Sequence, residues 1–272
     1  MAIVTHGSDL TLAPTLRPLI QAAGGTLRRA LDQLAGRGVG PVQLDATLPG
    51  LRPRELDERA RRELGALVRR RGAYPAGLDL FIPRKHYVDP EHVDRALAAS
   101  VAAIDLAADL GRAPVSLALP VAAMDGAVLG TLVEAADTRD VALAVHDEDE
   151  LDALERWLDE VDLPGIGAGL DPAAVLAGGG DAVQAVQRFA RRLVVARVSD
   201  VERGREADER TRTQAVRCRL GAGVLDVAAY RVSVDLAQRR RGPVVLELRG
   251  LAEPFAAVAA ARQTWDDAAF EV

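Results

Sequence analysis

The sequence predicts a single (β/α)8 TIM barrel of the α/β class, one domain over residues 1–272. Two observations carry this expectation. Eight short apolar runs alternate with segments of helical length, and eight such units in ~250 residues is the size of that barrel. An open doubly wound sheet would usually carry a glycine-rich phosphate loop after its first strand, and Thr5-His6-Gly7-Ser8-Asp9 is not one.

The expected strands are residues 2–4, 41–45, 77–82, 114–119, 141–145, 165–170, 193–198 and 243–248. Each is too short for a helix and is bounded by glycine, proline or charge, as buried parallel strands are. The clearest helix follows the third run, where Val93, Ala96, Leu97, Val101, Ile104 and Ala108 recur at helical spacing. Asp89 offers its N-cap, Pro90 fits its first position and Gly111 closes it. Residues 54–71, 173–192 and 226–241 read similarly. Gly178-Gly179-Gly180 interrupts a helical stretch and does not follow a strand directly, so it is a poor phosphate loop.

Composition narrows the function classes. Of 272 residues, 49% are hydrophobic and 27% charged, which excludes a disordered or collagen-like chain. No apolar run approaches the roughly 20 residues of a membrane span, and the first residues do not read as a signal peptide. The single cysteine, Cys218, cannot form an intrachain disulfide or a cysteine-rich zinc site. A cytoplasmic protein is expected, with no membrane partner. The net charge of −6 argues against nucleic-acid binding. One lysine stands against 33 arginines, so runs such as Arg69-Arg70-Arg71 read as solvated helix ends in an arginine-rich composition.

Active sites of such barrels form where the strands end. That places Asp45, Lys85, His86, His146, Asp147, Asp171, Arg197, Asp200, Glu247 and Arg249 around one rim. Acids, imidazoles and guanidiniums converging there suit a polyhydroxylated small molecule, phosphorylated or acidic. Glu247 is the strongest candidate, because a carboxylate inside Val-Val-Leu-Glu-Leu is costly unless it is paired or functional. Arg249 shares its strand face. Asp171 precedes Pro172 and a helix, so it reads as an N-cap or as a ligand. His146 ends an apolar strand and reads as a structural histidine or a ligand. Lys85 and His86 lie in a loop, as solvated groups or substrate contacts.

Several stretches in order then suggest a family. They are Gly38-Val39-Gly40-Pro41-Val42-Gln43-Leu44-Asp45, Gly77-Leu78-Asp79-Leu80, Gly169-Leu170-Asp171-Pro172 and Arg197-Val198-Ser199-Asp200. The last are Leu220-Gly221-Ala222-Gly223-Val224-Leu225-Asp226 and Val244-Val245-Leu246-Glu247-Leu248-Arg249. The chain resembles the sugar phosphate isomerase/epimerase group of xylose isomerase-like TIM barrels, which also includes endonuclease IV-like proteins. The resemblance implies a divalent metal held by a strand-five glutamate, a strand-six aspartate, a strand-seven histidine and a strand-eight glutamate. Asp171 and Glu247 match that set. His146 stands at the strand-five position and Arg197 at the strand-seven position.

Arginine stays protonated and offers only donors, so Arg197 cannot ligate a metal. Between two carboxylates it would supply positive charge in the metal's place. The expectation is therefore no metal cofactor. The alternative is that Arg197 points elsewhere and Mn, Zn or Mg binds through His146, Asp171 and Glu247. The resemblance implies a sugar isomerase or epimerase with Glu247, Asp171 and His146 as catalytic residues. Arg249, Arg197, Lys85, His86 and Asp45 would contact the substrate. The rival is a non-catalytic carbohydrate-binding or protein-interaction barrel, with an oligomer allowed. A DNA-repair reading on the endonuclease IV pattern is weak, because its trinuclear zinc site needs many histidines and this chain has four.

Overall fold

A computed structural model describes residues 10–202, 216–237 and 242–269. Its first barrel strand is β1 (Leu12–Pro14). Then come β2 (Pro41–Asp45), β3 (Tyr74–Leu80), β4 (Val115–Ala118), β5 (Leu143–His146), β6 (Ile166–Leu170) and β7 (Leu193–Val198). A short antiparallel pair, β8 (Asp200–Val201) with β9 (Arg217–Cys218), precedes the last barrel strand, β10 (Val244–Leu246). The eight barrel strands are parallel in the order β1-β10-β7-β6-β5-β4-β3-β2, and a Thr15–Gln43 bridge spans the remaining seam. The result is a nearly closed (β/α)8 barrel.

Seven of the eight expected strands form within a few residues of their expected bounds. The expected first strand, residues 2–4, lies outside the described residues. Its place in the barrel is held by Leu12–Pro14, in register with Val244–Leu246. A proline ends that strand, where no following ladder bond is lost.

The helices are α1 (Leu16–Ala22), α2 (Leu27–Ala35), α3 (Glu58–Arg70), α4 (Val93–Asp109) and α5 (Gly126–Thr138). They continue as α6 (Leu151–Val161), α7 (Pro172–Ala177), α8 (Ala182–Arg188), α9 (Val227–Ala237) and α10 (Pro254–Asp267). Aspartates start several of them. Asp57, Asp125 and Asp181 accept backbone N–H groups of α3, α5 and α8, each cap worth about 0.5–2 kcal/mol. α4 begins three residues later than Pro90 implies. Asp89 instead accepts the Glu91 N–H and pairs with the His92 ring, closing the turn ahead of the helix. The expected helix over 173–192 is two, because Gly179 at φ +78° breaks it.

The main core lies between barrel and helices, with Trp265, Tyr230, Phe189 and Ile104 among its fully buried side chains. Ala144, Val195 and Val245 form a separate small cluster. Each sits two residues before His146, Arg197 or Glu247, hence on the same strand face. That cluster is the apolar floor of the barrel mouth.

Candidate active site at the barrel mouth

Arg197 stands at the centre. Its guanidinium is 4% exposed and donates from Nη1 to Glu247 Oε2 at 2.7 Å and from Nη2 to Asp79 Oδ1 at 2.6 Å. Burial opposes its charge, but Asp79 and Glu247 outweigh that and raise its pKa further. Tyr230 fixes the strand behind it by donating to the Arg197 carbonyl at 2.7 Å.

Glu247 has no free oxygen. Oε2 accepts Arg197 and, at 2.8 Å, Arg249 Nη2; Oε1 accepts the Arg249 N–H at 2.9 Å and the Thr15 hydroxyl at 3.3 Å. Burial pulls this carboxyl up, yet the two guanidiniums hold it below the usual range. Asp171 is similarly committed. Oδ1 accepts the Ser199 hydroxyl at 2.5 Å and the Ala173 N–H at 3.1 Å, while Oδ2 accepts Arg217 Nη2 at 2.6 Å. Against burial, Arg217 and Arg197 hold its pKa down at about 2. Asp171 thus caps α7 and anchors Arg217 at once.

His146 ends β5 with its ring flat over β6. A Cβ on Gly169 would lie 2.2 Å from Nε2 and 2.5 Å from both adjoining ring carbons, so only glycine lets the imidazole sit there. Nδ1–H donates to Glu148 Oε1 at 2.9 Å. The Glu148 side chain is 6% exposed, accepts the Asp171 N–H at 3.0 Å, and is held below the usual range against burial by the His146 ring. Its carboxylate accepts from Nδ1 and orients the ring, which leaves Nε2 buried and without a partner among the described residues. Arg84 closes the outer side, reaching Asp147 at 2.9 Å and Asp149 at 2.8 Å. Burial raises the Asp147 carboxyl to about 6.

These side chains surround a cavity of about 660 Å³ lined by Asp79, His146, Glu148, Asp171, Arg197, Arg217 and Arg249, with Phe81 and Val216 exposed at its edge. Of the residues expected at the site, the structure brings His146, Asp171, Arg197, Glu247 and Arg249 together. Asp45 lies beside them, paired to Arg17 at 2.5 Å in a crevice that shares Asp79 and Glu247. Lys85 and His86 are outside the cavity wall, in a 3-10 turn where His86 stacks on His92 with ring centroids 4.4 Å apart. Asp200 is a structural anchor, its carboxylate accepting the N–H groups of Val201, Gly221, Gly223 and Leu225. Asp79, Glu148 and Arg217 enter the site without having been singled out for it in the sequence.

The donor set does not fit a divalent cation. Among the described residues, no three His, Cys, Asp or Glu side chains could hold a metal ion together. Both oxygens of Glu247 and of Asp171 already accept chain donors, and the guanidinium beside them repels a cation. Of the three candidate ligands only His146 Nε2 is unspent.

Comparisons with known proteins agree with this architecture. A sequence model described as "Xylose isomerase-like TIM barrel" matches residues 31–267. No curated protein matches the sequence. Among solved structures, a xylose isomerase domain protein from Planctomyces limnophilus is 19% identical. It superposes with a TM-score of 0.75 over 95% of this chain and 96% of its own. A xylose isomerase-like TIM barrel protein from Mycobacterium smegmatis, solved in complex with magnesium, is 14% identical. Its TM-score is 0.69 over 96% of this chain and 97% of its own. D-psicose 3-epimerase from Clostridium cellulolyticum H10, solved with D-tagatose, is 12% identical. Its TM-score is 0.66 over 89% of this chain and 93% of its own. At such identities the likeness shows the fold alone.

Proposed function

Because the chain belongs to the xylose isomerase-like TIM barrel family, we propose that its mouth binds a polyhydroxylated small molecule and acts on it as a sugar isomerase or epimerase without a divalent metal. The sugar epimerase among the structural neighbours supports the substrate class. One observation carries the metal-independent part: Arg197 is fixed between Glu247 and Asp79 on the wall of the cavity. A lone cysteine suits a reducing, cytoplasmic setting, and the whole chain acts as one domain.

Isomerisation moves a proton off a carbon next to a carbonyl, and the electron pair shifts onto the carbonyl oxygen. His146 Nε2 is the base with a free lone pair, oriented by Glu148. Arg197 supplies donors and positive charge to the oxygen as its charge develops. In isomerisation the hydroxyl proton passes from one oxygen of the enediolate to the other while the imidazolium returns its proton to the neighbouring carbon on the same face. Epimerisation needs the proton delivered to the opposite face by a second donor, for which solvent water is the source. Glu247 and Asp171 hold the guanidiniums in place and take no proton themselves, since every oxygen is engaged.

The test is deuterium incorporation from D2O into a panel of aldoses, ketoses and their phosphates, followed by NMR with chelator present. Exchange at the carbon next to the carbonyl is expected, and its absence across the panel removes the isomerase reading. A second reading, a non-catalytic carbohydrate-binding barrel, is favoured by the full engagement of both carboxylates. It predicts binding without exchange.

A further inference from the structure

Unsatisfied polar atoms gather at this mouth. Among the described residues, the buried side-chain nitrogens without a partner include His146 Nε2, Arg217 Nε and Arg249 Nε, and all three residues line the cavity. A buried polar atom left unpaired costs about 1–3 kcal/mol, so three around one cavity point to a ligand that satisfies them. Two of the three are obligate donors, because a guanidinium accepts nothing.

Both arginines are oriented before any ligand arrives. Arg217 spends Nη2 on Asp171, and Arg249 spends Nη2 on Glu247. The acids are 8% and 1% exposed, while the arginine side chains are 21% and 39% exposed. The carboxylates of Asp79, Asp171 and Glu247 are each paired with a guanidinium of Arg197, Arg217 or Arg249, and the other acids of the wall, Glu148 and Asp149, face Arg84 at 3.7 and 2.8 Å. A neutral hydroxyl can accept from such donors but must also place its own proton. An oxyanion has only acceptors, and charge-assisted bonds are roughly twice as strong as neutral ones.

We propose that Arg217 and Arg249 form a subsite for an oxyanion carried by the ligand, a carboxylate or a phosphate monoester on a hydroxylated carbon chain. The substrate class is then sugar acids or sugar phosphates rather than free sugars. This rests on the reading that the ligand is polyhydroxylated, and not on catalysis.

Titration calorimetry at fixed ionic strength tests it with D-glucose, D-gluconate, D-glucose 6-phosphate and inorganic phosphate. At least one of the two anionic sugars should bind about tenfold or more tighter than glucose, equivalent to about 1.4 kcal/mol. Gluconate against the phosphate ester tells carboxylate from phosphate recognition. Arg249→Gln leaves Glu247 paired with Arg197, so it keeps the fold while bringing the ratio toward one. Arg217→Gln, checked by its melting curve, should do the same, and Arg217→Lys should recover only part of the preference. Equal affinities in the unmodified protein, a preference that survives both glutamine variants, or no binding by any of the four compounds overturns the subsite. Anion preference with no deuterium exchange leaves the subsite standing and removes only the isomerase reading.

Discussion

Arg197 and Glu247 lie 50 positions apart, on strands β7 and β10, and meet as a 2.7 Å ion pair with neither side chain more than 4% exposed. Asp79, on the far side of the guanidinium, joins β3 to the same cation. The barrel mouth is therefore laced across its diameter by one side chain.

Removing that side chain should be costly. Arg197→Met leaves two carboxylates without their main counter-charge, and breaking a buried pair typically costs about 3–5 kcal/mol. Arg70→Met, at an exposed helix end, should change stability by less than about 0.5 kcal/mol. Urea unfolding of both variants decides this. Equal midpoints would show that Arg197 does not hold the mouth together.

Gly169→Ala should disturb His146 specifically. The new Cβ would sit 2.2 Å from Nε2, so either the ring or strand β6 must move. Overpacking of this kind typically costs about 1–3 kcal/mol. In a His146→Ala background the same substitution should cost clearly less, because the obstructing ring is gone. A double-mutant cycle showing no coupling would mean that the imidazole does not lie over Gly169.

How far the sequence reveals this site depends on local signals. Glu247 was readable because a lone carboxylate interrupts an apolar strand. Asp79, in Gly77-Leu78-Asp79-Leu80, carries the same signal, a lone carboxylate in an apolar strand. Glu148 is hidden by its neighbours, since Asp147-Glu148-Asp149-Glu150 looks like a solvated acidic run, whereas Asp147 is buried against the Val121 N–H and Arg84 and Glu148 turns to the His146 ring. Arg217 gives almost no signal, because β9 is two residues long and owes its place to pairing with β8. The first strand was obscured by length as well. Leu12–Pro14 is shorter than any run that periodicity can resolve and ends in a residue that argues against strands.

Two aspartates should give the stability curve opposite slopes in adjoining pH ranges. Asp147 has its pKa raised by burial from 3.8 to about 6, so the folded state binds the proton more tightly than the unfolded chain. Its contribution to stability declines as pH rises from about 4 to about 6. Asp171 has its pKa lowered to about 2, chiefly by Arg217 against burial, so its contribution is present above 3.8 and is lost as pH falls toward 2. Asp147→Asn should flatten the decline between pH 4 and 6. Asp171→Asn should flatten the rise between pH 2 and 4. Denaturant unfolding across pH measures both, and unchanged slopes would contradict these assignments.

Added Mn, Zn or Mg should do little for the stability of the protein. The argument is one of free lone pairs and charge. Of His146, Asp171 and Glu247, only His146 Nε2 is uncommitted, and Arg197 occupies the space between Glu247 and Asp79. Two unit charges 4 Å apart interact by about 4 kcal/mol at an effective dielectric of 20. A dication at that distance from Arg197 meets about twice that in repulsion, enough to cancel the attraction of one carboxylate. A ligand at a hundred times its Kd stabilises the folded state by about 2.7 kcal/mol, so a micromolar site would show as a clear rise in Tm at submillimolar metal. No such rise is expected in the chelator-treated protein. A rise with Mn or Zn that disappears in Glu247→Gln would show that Arg197 yields its position, and a metal-dependent mechanism would then replace the one proposed.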